Sequence, residues 1–331
     1  MIRRILTAIL ILFAGHTLHA QKINGVSLVG HPSPVDQSCF SKIGKINANW
    51  VALMPYAFVR KSSGELIYDT DRQWWGETSE GVEACIEMAK AEEMEVMIKP
   101  HLWIGHGDYT GDLTFPSEDA WRIWEENYKQ YILTYARLSE KHGLKLFCIG
   151  TELEQFVTER TEFWLQLIKD IRKVYSGKLV YAANWDAYQN IPIWKELDLI
   201  GVDAYFPLDE SETPDPQALI SSWQPHYQDL KSFGKVQDMQ VMFTEFGYRS
   251  VNHTTRRPWE SHRDESLNLT AQANALEAIF NVFWPEHWFA GGFLWKWHAE
   301  DEKIDPNQNN RFTPQNKPAE AVVRKWFARH N

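Results

Sequence analysis

The chain has 331 residues, 44% hydrophobic and 24% charged, enough apolar material for a large core. Its formal net charge of −10, with no Lys or Arg run, excludes the backbone-tracking grooves of nucleic-acid binders. Aromatic residues make up 14%, including 16 Trp. Such rings either fill a core or line a cleft.

The first element is not part of the fold. Arg3 and Arg4 precede the apolar run Ile5–Gly15, and Ala20 offers a small residue at a cut. This pattern predicts a secretory signal peptide over residues 1–20 and a mature chain over 21–331. The run is too short to span a bilayer. Export to the periplasm or the outside is expected, without a stable membrane anchor. Cys39, Cys85 and Cys148 are too few to form a disulfide framework, and no zinc-type Cys or His spacing occurs.

Eight short apolar runs then alternate with amphipathic segments. They are Ile23–Val29, Trp50–Val59, Glu95–Trp103, Lys145–Glu152, Lys178–Trp185, Leu197–Tyr205, Gln240–Tyr248 and Phe289–Trp297. Helices are predicted after most of them. Among these, 117–142 carries apolar residues at three and four, with Ser117 as its cap and Gly143 as its stop. The link between the fifth and sixth runs is short and holds Pro192, so its helix has the weakest signal. Alternating strands and helices in near-continuous apolar runs predict a single-domain α/β fold, a parallel (β/α)8 TIM barrel. An open doubly wound sheet is the competitor, but no GxGxxG or GxxxxGK[ST] motif follows any strand.

In such a barrel, chemistry sits at the C-terminal strand ends. The polar and aromatic residues predicted there are Lys99, His101, Trp103, Thr151, Glu152, Asn184, Trp185, Asp186, Asp203, Tyr205, Glu245, Trp295, Trp297 and His298. Glu152 and Glu245 each end a buried run after a Thr, in CIGTEL and MFTEFG. Two carboxylates facing each other across one mouth suit a retaining glycosidase, in which they stand about 5–5.5 Å apart. The bland alternative is a pair of ordinary salt bridges.

The motifs IKPHLW, CIGTELE, GVDAYFPL, FTEFGY and GGFLWKW carry a resemblance that runs from about Asn24 to Glu320. Their placement resembles clan A glycoside hydrolases, and more narrowly glycoside hydrolase family 113, whose characterised members are β-1,4-mannanases. The resemblance implies Glu152 as acid/base and Glu245 as nucleophile. Most of clan A has Asn before the acid/base to grip the sugar 2-OH; Thr151 stands there, which fits a distinct family within the clan.

The remaining candidates each have two readings. Tyr205 would hydrogen-bond Glu245 and hold it ionised, or simply pack. Lys99 and His101 would bind sugar hydroxyls, or pair with a strand carboxylate. Asn184, Asp186 and Asp203 have groups suited to hydroxyls, with loop capping as the alternative. Trp295 is a platform for a sugar face. Trp297 competes with it, one of the two pointing away, and Trp103 and Trp185 would form further subsites or join the core. No cofactor and no metal are expected; His31, His106, His253 and His298 show no paired spacing. The expected partner is a β-linked polysaccharide or oligosaccharide, met by a monomer. The predicted activity is retaining, endo-acting hydrolysis of β-1,4-mannosidic links. Alternatives are the same chemistry on a β-glucan or other β-hexoside, and a secreted sugar-binding barrel without turnover. A metal hydrolase would need an HxH on the first strand, which NGVSLVGH lacks.

Overall fold

The computed structural model describes residues 21–105, 108–261 and 265–330. The expected leader, residues 1–20, and His106 lie outside these residues.

In chain order the elements are β1 (Ile23–Leu28), α1 (Gln37–Gly44), β2 (Trp50–Leu53), β3 (Tyr56–Arg60), β4 (Glu65–Ile67), α2 (Ser79–Ala91), β5 (Glu95–Ile98) and β6 (His101–Trp103). There follow α3 (Glu118–Lys141), β7 (Leu146–Thr151), α4 (Glu154–Glu159), α5 (Thr161–Arg172), β8 (Lys178–Asn184) and β9 (Leu199–Asp203). The chain ends with α6 (Pro216–Gln237), β10 (Val241–Phe246), α7 (Leu269–Phe283), β11 (Phe289–Trp297) and α8 (Pro318–Arg329). Eight parallel strands close a barrel in the order β1-β2-β5-β7-β8-β9-β10-β11, with β11 paired back onto β1. This is the predicted (β/α)8 barrel, built as a single domain.

Strand alternation divides the core in two. Inside the barrel lie Ile23, Ala52, Met97, Leu146, Cys148, Val180, Ala182, Leu199, Met242 and Phe293. Gly25 makes room for the ring of Phe293, because a Cβ there would lie 2.3 Å from its Cδ1. The larger layer packs between strands and helices. On α3, Ser117 accepts the Ala120 N–H, and Trp124, Tyr128, Tyr131 and Ile132 are fully buried on one stripe. Each such side chain contributes roughly 1.5–3 kcal/mol of hydrophobic stabilisation.

The barrel departs from the sequence reading at two prolines. The second and third apolar runs do not continue as barrel strands. Proline has no N–H to give to a ladder, and β2 and β5 stop just before Pro55 and Pro100. Past them the chain turns outward. β3 pairs in parallel with β6 and antiparallel with β4, so a three-stranded sheet stands on the barrel mouth. The link from β8 to β9 holds only short 3-10 turns at Tyr188–Asn190 and Trp194–Glu196, as its proline and brevity foretold. α1 was not anticipated; Asp36 caps it by accepting the Ser38 N–H.

Candidate active site

The strand ends of β5, β9 and β10 bring together a buried charge cluster. Glu245, near the end of β10, is 6% exposed. Its two carboxylate oxygens receive separate donors. Lys99, the residue after β5, donates to Oε1, and the Tyr205 hydroxyl donates to Oε2 at 2.7 Å. Lys99 also lies 3.4 Å from Asp203 Oδ1, which accepts the Thr244 hydroxyl at 2.7 Å. One ammonium is thus shared between two carboxylates. Burial opposes the Lys99 charge, but the Asp203 and Glu245 charges outweigh it and raise its pKa. Burial, and then the Glu245 charge, push Asp203 up to about 7 against the pull of Lys99. Lys99 and Asp203 are both wholly buried, and of the two readings given for Lys99 the structure shows the ion pair with strand carboxylates.

Glu152 follows directly on β7. Its backbone is left-handed, with φ of 48°, and its N–H is held by Ala182 O at 2.8 Å. A non-glycine residue there costs of order 1–3 kcal/mol and persists only where the surroundings enforce it. The turn leaves the side chain partly exposed at the mouth. Burial, then the charges of Asp203, Glu245 and Glu154, raise the Glu152 carboxyl well above the usual range. Glu152, Asp203 and Glu245 stand at the C-terminal ends of β7, β9 and β10, on one rim of the barrel. Beside Glu152, Glu154 Oε1 accepts the Asn184 N–H at 3.2 Å, and Asn184 Nδ2 donates to the Tyr109 hydroxyl at 2.8 Å. Asn184 is therefore tied into the wall next to Glu152. Asp186 is exposed just beyond it.

The aromatic candidates divide. His101, on β6, points its Nε2 to 3.7 Å from Glu245 Oε1. Its ring stacks with Trp295 at 5.9 Å and lies 5.1 Å from Tyr56. Burial, then the Lys99 and Lys296 charges, hold its pKa well below the usual value, so it is neutral near pH 7. Trp295 is partly exposed above it. Trp103 is 44% exposed on the small sheet. Trp185 stacks on Trp259 at 5.3 Å in the loops past β8 and β10. Trp297 requires correction: it is 2% exposed in the layer between barrel and helices. The cause is a bulge. Val26 pairs with Leu294 and Leu28 with Trp297, so β11 spends one residue more than β1, and Trp297 turns to the other face.

Sequence reading missed four neighbours of the site. Tyr56 opens β3 directly after Pro55, and only that punctuation hinted at it. Lys296 sits 5.2 Å from the Trp295 ring. Phe312 packs edge-on against Tyr205 at 6.1 Å. Tyr109 comes from a loop with no periodic signal.

The chain's similarity to known proteins accords with this geometry. The profile of glycoside hydrolase family 113 matches residues 33–317. The chain belongs to glycoside hydrolase family 113. Among curated proteins no sequence match reaches significance. Among solved structures, the family 113 β-mannanase of Alicyclobacillus acidocaldarius superposes with a TM-score of 0.82 at 22% identity, covering 94% of this chain and 98% of that one. A family 5 mannosidase from Rhizomucor miehei gives 0.65 at 10% identity, covering 93% of each chain. A β-glucuronidase from Faecalibacterium prausnitzii gives 0.63 at 16%, covering 94% of this chain and 49% of that one.

This family 113 chain is therefore a glycoside hydrolase, and its charged groups gather at the barrel end where the fold class places chemistry. A separate cavity of about 940 Å³ opens at the opposite end, around Ile23, Trp50, Leu146 and Leu199. Its rim carboxylates Glu140 and Asp198 are engaged by Ser176 and Arg172. Among the described residues no group of three His, Cys, Asp or Glu side chains is disposed to hold a metal.

The shared cation makes a direct prediction. Lys99→Met removes the partner of two buried carboxylates and should cost about 3–5 kcal/mol of stability. Adding Asp203→Asn should recover part of that loss in thermal unfolding at pH 7. A single variant as stable as the wild type would show that the ammonium is not what offsets these charges.

Proposed function

We propose that this chain is an endo-acting, retaining β-1,4-mannanase, with Glu245 as nucleophile and Glu152 as acid/base. The observation that carries the reading is the contrast between the two glutamates at one mouth. Glu245 is gripped on both oxygens by Lys99 and Tyr205. Burial and the charges of Asp203, Glu245 and Glu154 raise the Glu152 carboxyl and favour its protonated form. Environments that separate two carboxyls in this way divide the roles of nucleophile and acid.

In the first step a Glu245 oxygen bonds to the anomeric carbon while the glycosidic C–O bond breaks. The proton on Glu152 passes to the leaving oxygen. Glu152, now ionised, takes a proton from water as that water attacks the anomeric carbon, and the bond to Glu245 breaks. Tyr205 and Lys99 fix the angle at which Glu245 presents its oxygen. His101 Nε2 stands close enough to Glu245 to meet a sugar hydroxyl there, and the partly exposed Trp295 offers its face to the ring. Mannan as the polymer is supported by the family and by the fold shared with the Alicyclobacillus β-mannanase. An exported hydrolase would meet such a polymer outside the cytoplasm, in keeping with the leader expected over residues 1–20.

A reducing-sugar assay on mannan, glucomannan, cellulose and xylan, with products separated by size, tests the reading. The expected result is a ladder of oligosaccharides from the mannans and little from the others. Release of monosaccharide alone would overturn endo action, and exclusive cleavage of cellulose or xylan would overturn the substrate.

A further inference from the structure

The small sheet on the barrel mouth has two unlike faces. On one, Ala57 and Leu66 are buried in the core and Leu102 packs against it, and Tyr68 meets Tyr131 of α3 with ring centroids 4.8 Å apart. The other face carries Phe58, Ile67 and Trp103, which are 41%, 39% and 44% exposed. Strand register makes these three a single row. Phe58 pairs with Ile67 on one side and with Trp103 on the other, and directly paired residues point the same way.

The same register ties the row to the active site. Two residues back along the strands, Tyr56 pairs with His101. Period-two alternation puts that pair on the same face. His101 is the residue 3.7 Å from Glu245 and stacked with Trp295. Beyond the row the face ends in the ion pair of Arg60 and Glu65, at 2.6 Å. The register thus places Tyr56 and His101 between Glu245 and an exposed apolar row. Two strand residues span roughly 6.6 Å and three strands roughly 10 Å across. That is the scale of a sugar ring or two. Exposed aromatic residues lined up beside a cleft mark a binding surface, and the strand register joins this one to the residues beside Glu245.

We propose that the outer face of this sheet is a distal subsite, on which Phe58 and Trp103, flanked by Ile67, stack the apolar faces of hexose rings beyond the cleaved bond of a β-linked chain. The proposal rests on the glycanase reading above and adds the direction in which the polymer leaves the centre. Both side chains are exposed and reach neither reacting group, so they act on affinity for long substrates rather than on the chemical step.

The test is the double variant Phe58→Ala, Trp103→Ala, assayed on a series of β-1,4-linked manno-oligosaccharides of increasing length. Fold is checked by thermal unfolding, and the conservative pair Phe58→Tyr, Trp103→Phe serves as rescue. For the longest substrates kcat/KM should fall about 10- to 100-fold, mostly through KM, as two lost aromatic contacts imply. The shortest cleaved substrate should change little, and the conservative pair should restore most of the loss. Equal loss at every length, or none on the longest, overturns the subsite while leaving the mannanase reading intact. So does a wild-type dimer that the double variant dissolves without any change in length dependence. A wild type that cleaves no member of the series overturns the mannanase reading itself, and the subsite with it.

Discussion

Glu245→Ala is expected to abolish turnover, by about 10⁴-fold or more as is typical when a covalent nucleophile is lost, while the protein stays folded. The second half of that expectation comes from the charge cluster. Lys99 keeps Asp203 as a counter-ion at 3.4 Å, so the variant buries no unpaired cation. Tyr205 loses its acceptor but keeps its packing against Phe312. The substitution also leaves a space beside the anomeric carbon, into which azide should enter and restore part of the activity. Measured kcat with and without azide, alongside thermal unfolding, separates lost chemistry from lost structure. A variant that keeps substantial hydrolysis without azide would remove Glu245 from the mechanism.

Glu152→Ala should show a dependence on the leaving group. A general acid contributes about 10²–10⁴-fold when the departing oxygen is a poor leaving group. An activated aryl glycoside departs without a proton, so its first bond cleavage should be nearly unaffected. Equal losses in kcat/KM on both substrates would exclude the acid role. The pH profile gives a second reading. Burial and the Asp203, Glu245 and Glu154 charges raise the Glu152 carboxyl well above its usual value. The protonated form is the one that acts as acid, so on its alkaline limb wild-type kcat/KM should fall as pH rises through that raised value, later than an ordinary carboxyl would allow. In Glu152→Ala, with the aryl substrate, that alkaline limb should vanish.

The barrel was legible because its signal is additive. Apolar runs such as Leu146–Thr151 and Val241–Phe246 are buried along their whole length, and eight apolar runs alternating with amphipathic segments leave few other folds. Both glutamates were legible for the same reason: a carboxylate ending a wholly buried strand is costly, so it stands out. What stayed hidden depends on features that a count along the chain does not register. A strand-end list contains Lys99 and Asp203 but does not say that they face each other and Glu245 across the barrel. The inserted residue in β11 reverses the side on which Trp297 lies, and period-two reasoning has no access to an insertion. Pro55 and Pro100 were visible, but their consequence was not: two strands peel away together and form a sheet of their own, which lines up Phe58, Ile67 and Trp103 beside the cleft.

The proposed mechanism needs Glu152 and Glu245 to act as a pair on the two faces of one anomeric carbon. It is tested most directly by the product that Glu245→Ala forms from an activated β-mannoside in azide, read by proton NMR. The expected product is an α-mannosyl azide, because azide takes the place of the missing carboxylate on the side opposite the leaving group. No azide product, together with a wild type that releases sugar of inverted configuration, would contradict it.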